Sequence, residues 1–227
     1  DFMMTATEES KSRVISMGVN KKNVFNTGHA GIDRFKNVDK LSKLQIYKYF
    51  DFQDISKPLV LFIKHPVSGE IEESAQQMKI SLDALNSLMM PVIIIKPNSD
   101  PGRQKMVSVL ESYKFSNKEV KIVDNIPESI FVNVLRISNV LVGNSSMGVI
   151  EAPYFNLPVV NIGKRQSGRE NAGNIIFVNH NIKEIVSAIN KSVFDKDYRD
   201  NIKNTKSPYG NGGTGIKIAK ILSELTL

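Results

Sequence analysis

One stretch, uncharged but for its Glu151, Gly143-Asn144-Ser145-Ser146-Met147-Gly148-Val149-Ile150-Glu151, carries the residue types needed to hold a nucleotide. Gly143 and Gly148 permit tight turns and close backbone approach. Asn144, Ser145 and Ser146 are good helix-capping residues, which predicts a helix starting here. A helix N-terminus offers unpaired N–H groups and the positive end of the helix dipole, a natural anion site. The serine hydroxyls add donors without bulk. Glu151 falls about one and a half turns into that helix, near the same pocket. A carboxylate there can accept two hydrogen bonds from a vicinal diol such as a ribose. Phosphate at the helix tip and ribose on the acid together describe a nucleotide. An ordinary N-cap and a solvated helix glutamate would account for the same residues.

Further candidates follow other strands. The loop Asn161–Asn174 carries Lys164, Arg165 and Arg169 spaced by glycines. Arginine's planar fork suits phosphate or carboxylate, so this loop can face an anion. His65 comes directly after a strand and before Pro66, where it can hydrogen-bond a phosphate or move a proton. His29 lies between Gly28 and Gly31 in a loop that lets backbone approach a ligand, and His180 precedes a surface helix and reads as structural. No two histidines have metal-ligand spacing, so no zinc site is expected. With zero cysteines there is no disulfide framework and no thiolate metal site, which fits a reducing cytoplasm.

These loops need strands that end beside one another. Short apolar runs at 23–27, 59–64, 92–96, 120–123, 139–143, 158–162 and 174–178 read as strands, most of them apolar enough to be covered on both faces. Helical patterns lie between them. Pro127 and Glu128 open one helix, whose face is Ile130, Phe131, Val134 and Leu135. The same spacing recurs in Ile182, Ile185, Val186, Ile189 and Val193, and in Ile218, Ile221, Leu222 and Leu225. Alternating β and α elements predict right-handed crossovers and an α/β fold, a Rossmann-like, mostly parallel sheet with helices on both faces. Ligands of such sheets bind outside the carboxyl ends of the strands.

The first residues, "DFMMTATEESKSRVISMG", read as a helix already under way, as in a piece cut from a longer protein. Residues 1–20 are therefore expected to be the end of a preceding domain, 21–206 a nucleotide-binding domain, and 207–227 a Gly-rich hinge with a final helix. A 41% hydrophobic and 23% charged composition is that of a soluble globular protein. No apolar run approaches the ~20 residues of a membrane span, and no leader is visible. The net charge of +7 raises nucleic acid as a partner, but the lysines are spread among acids with no basic block and no Trp. A positive field suits a phosphate-bearing small ligand. Neither nucleic acid nor membrane is expected as a partner.

The segment "VGNSSMGVIEAPYFNLPVVNIGKRQSGR" resembles the signature region of bacterial UDP-N-acetylglucosamine 2-epimerases, most of all the hydrolysing branch of sialic-acid and related nonulosonate biosynthesis. "ATEESKSRVISMGVNKKNVFNTGHAGID", "KHP" and "SPYGNGGTGIKIAKIL" match further family blocks in order, so the resemblance spans essentially the whole chain. "KRQSGR" stands where the non-hydrolysing branch carries Thr-Glu-Arg-Pro. The resemblance implies a GT-B architecture of two Rossmann-like domains, this chain being the second, UDP-binding one. It gives Ser145 and Ser146 to the diphosphate and Glu151 to the ribose. It puts His65 at the diphosphate and sugar side as the one catalytic candidate, and Arg165 or Arg169 at the leaving group. Asn125 and Ile126, in "DNIPES", would border the uracil through backbone groups, and Gly28 would face the cleft. The implied products are N-acetylmannosamine and UDP, from UDP-N-acetylglucosamine or a diacetamido-deoxy analogue, with no cofactor and a homodimer as the suggested oligomer. The acid and base carboxylates come mainly from the family's first domain, so this chain alone is expected to be inactive. The alternatives are the donor-binding domain of a GT-B glycosyltransferase and a non-enzymatic UDP-sugar-binding module.

Overall fold

The computed structural model describes residues 1–225; the last two residues of the expected C-terminal segment lie outside them. The chain opens on a strand rather than in mid-helix. β1 (Met3–Thr5) pairs in parallel with β2 (Val24–Asn26), Met3 opposite Val24 and Thr5 opposite Asn26. The helix between them, α1 (Glu8–Ser16), has its own start: the Thr7 hydroxyl accepts the Ser10 amide at 3.1 Å, and Glu8 and Glu9 complement the dipole. The expectation of a helix running in from Asp1 is corrected on both counts. The expected division between residues 20 and 21 falls between two paired strands.

The main sheet has six parallel strands in the order β5-β4-β3-β6-β7-β8. They are β3 (Val60–Ile63), β4 (Val92–Ile95), β5 (Val120–Val123), β6 (Val140–Gly143), β7 (Val159–Ile162) and β8 (Ile175–Val178). Each lies inside a run the sequence pattern marks as a strand. All four residues of β3 are buried because the strand is central and covered on both faces. Side chains alternate between two cores, as the period of two requires. Val60 and Phe62 pack with α3 (Ser74–Asn86), α4 (Arg103–Ser112) and α7 (Ile182–Phe194). Leu61 and Ile63 pack on the other side with α2 (Lys43–Tyr49) and α5 (Glu128–Ile137). Burying a side chain such as Phe62 contributes about 1.5–3 kcal/mol. The observed fold class is thus the expected Rossmann-like parallel sheet.

The strand order reverses at β3, which has β4 on one side and β6 on the other. That switch point opens a crevice beyond the carboxyl ends of β3 and β6. After α8 (Lys196–Lys203), the Gly-rich segment folds back on the domain and leads into α9 (Thr214–Glu224). Asp33 caps this helix, its carboxylate accepting the amides of Gly213, Thr214 and Gly215 at 2.5, 3.1 and 2.8 Å. Those bonds, foremost the one from Gly215, hold the Asp33 carboxyl below its usual range.

Candidate functional site

The two loops at the switch point are tied together by Asn144. Its buried side chain accepts the His65 amide at 2.7 Å and donates to the His65 carbonyl at 2.8 Å. Its own amide reaches the Ile63 carbonyl at 3.2 Å. Its carbonyl accepts from Arg165 at 3.1 Å and from Gln166 at 2.9 Å. Asn144 therefore joins the loops after β3, β6 and β7, a role beyond the helix capping its residue type suggests. The approach of β6 to β3 needs glycine: at Gly143, φ is +135° and a Cβ would lie 1.9 Å from the Ile63 carbonyl oxygen.

The helix after Ser146 is shorter than its capping residues imply. α6 covers only Met147–Ile150, and the chain passes into a 3₁₀ turn at Ala152–Phe155. Pro153 has no N–H to extend an α-helix, which accounts for the break. The expectation of a helix with Glu151 about one and a half turns inside it is corrected: Glu151 sits at the junction of the two short elements. Ser146 occupies the N-cap position without a side-chain cap bond, while the Ser145 hydroxyl accepts the Met147 amide at 3.4 Å. The dipole of a single turn is small, so an anion here rests on local donors more than on a macrodipole.

A cavity of about 600 Å³ opens at this point, within the ~300–1,000 Å³ typical of small-ligand sites. His65 and Ser145 line one side, and Asn125, Ile126 and Pro127, after β5, line another. Arg34 lines a third and brings Glu151 with it, its Nη2 being 3.5 Å from Glu151 Oε1. The Glu151 side chain is only 13% exposed, and burial raises its pKa while Arg34, and to a smaller extent His29, oppose that rise. Arg34 was not singled out by sequence reasoning; the only signal was its place after the Gly28–Gly31 loop.

His65 is poised as a neutral imidazole. Its pKa is lowered by burial and then by Arg165, against Asp100, which raises it. Nδ1 lies 3.2 Å from the Asn98 amide and accepts from it, which leaves the ring proton on Nε2. Arg165 also stands 3.8 Å from Asp100. The sequence-predicted residues do not all converge. Arg169 bonds Gln166 Oε1 at 2.9 Å and lines a different cavity. Gly28 faces the C-terminal segment, where a Cβ would lie 3.1 Å from the Tyr209 carbonyl oxygen, rather than the crevice.

One buried cation beside the site has no sequence signature. Lys64, fully buried, donates to the Gln77 carbonyl and the Ser81 hydroxyl, both at 3.0 Å, and meets His180 Nδ1 at 3.1 Å. Burial lowers the Lys64 pKa to about 7. Burial and then Lys64 lower that of His180 to about 4. His180, read from the sequence as a structural residue, has as its partner the residue next to His65.

Comparison with known proteins gives this geometry a context. A family model described as UDP-N-acetylglucosamine 2-epimerase matches residues 1–223. A Legionella pneumophila protein named UDP-N,N'-diacetylbacillosamine 2-epimerase (hydrolyzing) is 30% identical over 226 residues, covering 100% of this chain and 58% of that protein. A Campylobacter jejuni GDP/UDP-N,N'-diacetylbacillosamine 2-epimerase (hydrolyzing) is 32% identical, covering 84% of this chain and 49% of its own length. The chain thus spans about half the length of the curated relatives it matches. A crystal structure of the Neisseria meningitidis UDP-GlcNAc 2-epimerase bound to UDP-GlcNAc superimposes with a TM-score of 0.76 at 19% identity. It covers 99% of this chain and 62% of that one, and it shows a shared fold.

Proposed function

This chain belongs to the UDP-N-acetylglucosamine 2-epimerase family, and on that premise we propose that it is the UDP-binding part of a hydrolysing UDP-sugar 2-epimerase. The observation that supports this reading is the convergence of His65, Ser145 and Arg34 on one cavity at the switch point that Asn125 and Ile126 also line, with Glu151 paired to Arg34 behind it. In this assignment Glu151, oriented by Arg34, accepts the ribose hydroxyls. Ser145, Ser146 and Arg165 bind the diphosphate, and backbone groups at Asn125 and Ile126 border the uracil.

The reaction removes the proton at carbon 2 and breaks the bond from carbon 1 to the diphosphate oxygen, which leaves with the electron pair. Water then adds to the resulting glycal, and the proton returns to carbon 2 on the opposite face. Charge grows on the departing diphosphate, and donors aimed there lower the barrier. In this assignment His65, with its proton on Nε2, and Arg165 supply those donors. The acids and bases that act at carbon 2 belong to the remainder of the parent protein, so this chain binds UDP without turning substrate over. We assign the parent to the cytoplasm, to sialic-acid or related nonulosonate synthesis, and to a homodimeric state.

A diacetamido sugar is favoured over UDP-N-acetylglucosamine by one observation: the Legionella and Campylobacter relatives, at 30% and 32% identity, are both named for diacetylbacillosamine. Feeding each UDP-sugar to the full-length parent without an acceptor, and identifying the sugar released, separates the two. The same assay excludes a glycosyltransferase or a non-enzymatic module if free 2-epimer appears. The test of the site is a calorimetric titration of UDP into this chain and its Glu151→Ala variant. Loss of a charge-assisted contact of about 1.5–3 kcal/mol predicts an affinity about ten- to a hundredfold weaker. Equal affinities, or no UDP binding by the unmodified chain, would overturn the assignment.

A further inference from the structure

The Gly-rich segment before α9 contains the chain's one Asn-Gly pair, Asn211–Gly212. An asparagine carries its side-chain carbonyl within a five-membered ring of the next main-chain nitrogen, so attack between the two is intramolecular. Glycine hinders that attack least, since it has no Cβ and lets the backbone turn freely. Three other asparagines precede serine, and the side chain of each is pinned. Asn86 accepts the Ser116 amide at 2.8 Å, Asn98 donates to Asp100 at 2.8 Å, and Asn144 holds the His65 backbone with both its polar atoms. Asn211 is exposed and stands between Gly210 and Gly212, both at positive φ. Among the described residues, no main-chain hydrogen bond involves the amide or carbonyl of Asn211 or Gly212. The ties lie on either side: the Gly210 amide donates to the Ser207 carbonyl at 3.2 Å, and the Gly213 amide donates to the Asp33 carboxylate at 2.5 Å.

We propose that Asn211 is a site of spontaneous deamidation and that its isoaspartyl product releases the cap of α9. The Gly212 nitrogen loses its proton to base and bonds to the Asn211 side-chain carbonyl carbon. The bond from that carbon to Nδ2 breaks, and ammonia leaves with a proton from water, closing a succinimide. Water then opens the ring at either carbonyl by cleaving its bond to nitrogen. Opening at the side-chain carbon gives aspartate. Opening at the main-chain carbon gives isoaspartate, in which the chain runs through the former side chain. One water is consumed and one ammonia released, and no oxidant or reductant takes part. Isoaspartate lengthens the main chain by one methylene directly before Gly212. The backbone there has little room to absorb it, since even a Cβ on Gly212 would lie 3.2 Å from Asp33 Oδ1. The amides of Gly213, Thr214 and Gly215, which all donate to that carboxylate, then lose their alignment on it.

The folded chain is incubated at mildly alkaline pH beside a synthetic peptide of residues 207–215, and peptide mass spectrometry with isoaspartyl detection follows each asparagine. Asn211 is expected to convert ahead of Asn86, Asn98 and Asn144. Its rate should fall within about tenfold of the free peptide's, because a segment without main-chain bonds opens at almost no cost. Hydrogen exchange on the aged chain then reads the cap. In molecules carrying isoaspartate the α9 amides should exchange about two- to thirtyfold faster, the range implied by losing a helix cap, while the β3 amides stay protected. N211Q aged alongside keeps its exchange pattern, because its longer side chain closes a six-membered ring only slowly. Fresh N211D carries the new charge without the longer main chain and keeps the cap. An Asn211 that stays intact, converts more than about tenfold slower than the peptide, or converts no faster than the Asn-Ser sites overturns the modification site. Unchanged α9 exchange in the isoaspartyl molecules, or equal acceleration in aged N211Q or fresh N211D, overturns the release of the cap.

Discussion

Asn144→Ala strips the His65 backbone of both its partners in one step. The lost bonds are the 2.7 Å contact to the His65 amide and the 2.8 Å contact to its carbonyl. A buried backbone group left unpaired costs about 1–3 kcal/mol, and partial access of water at His65 relieves some of that. The expected loss of stability is therefore about 2–4 kcal/mol, a large share of the ~5–15 kcal/mol of a whole domain. The main-chain bonds of residue 144, to the Ile63 carbonyl and from Arg165 and Gln166, do not depend on its side chain and persist. Urea denaturation with an unchanged slope measures the loss. Released from this clamp, His65 and Ser145 no longer share one geometry, and calorimetry is expected to show UDP affinity at least about tenfold weaker. Asn144→Asp keeps the acceptor and removes the donor, which separates the two bonds. A stability change below about 0.5 kcal/mol, or full UDP affinity in a destabilised N144A protein, would refute the clamp.

Gly143→Ala forces a Cβ to within 1.9 Å of the Ile63 carbonyl oxygen at a φ of +135°. It should cost more than about 3 kcal/mol in a urea melt or prevent soluble expression, and a near-normal melt would refute the close approach. His180 has a pKa near 4 in the folded chain against 6.5 unfolded, so the unfolded chain takes up the proton first as pH falls. Its contribution is complete above about pH 6.5 and is lost as pH drops towards 4. His180→Gln should flatten the fall in urea midpoint over that window, with His65, shifted the same way, supplying part of the remaining slope. Asp33→Ala removes the cap from α9, so amide exchange across Thr214–Glu224 should accelerate while the β3 amides stay protected. Uniform protection in that variant would show that the helix is held by something else.

The strands of the main sheet are legible in the sequence because burial on both faces leaves a local mark. "VLFI" at β3 and "VIII" at β4 are continuous apolar runs, and apolar spacing also marks α5, α7 and α9. The small residues after β6 and the histidine after β3 were legible as site candidates because ligands of such sheets gather at strand ends. β1 left no such mark, since three residues of which only Thr5 is buried become a strand solely by pairing with β2. Glu151 falls just outside α6 because capping residues announce where a helix starts, while Pro153 decides how far it runs. Arg34 beside Glu151, Asn144 between two loops and Lys64 against His180 all join residues distant in the chain. Periodicity records which face of each element turns inward. Which elements end up as neighbours is decided by the order of strands in the sheet, and only the placement of β6 beside β3 brings Asn144 to His65.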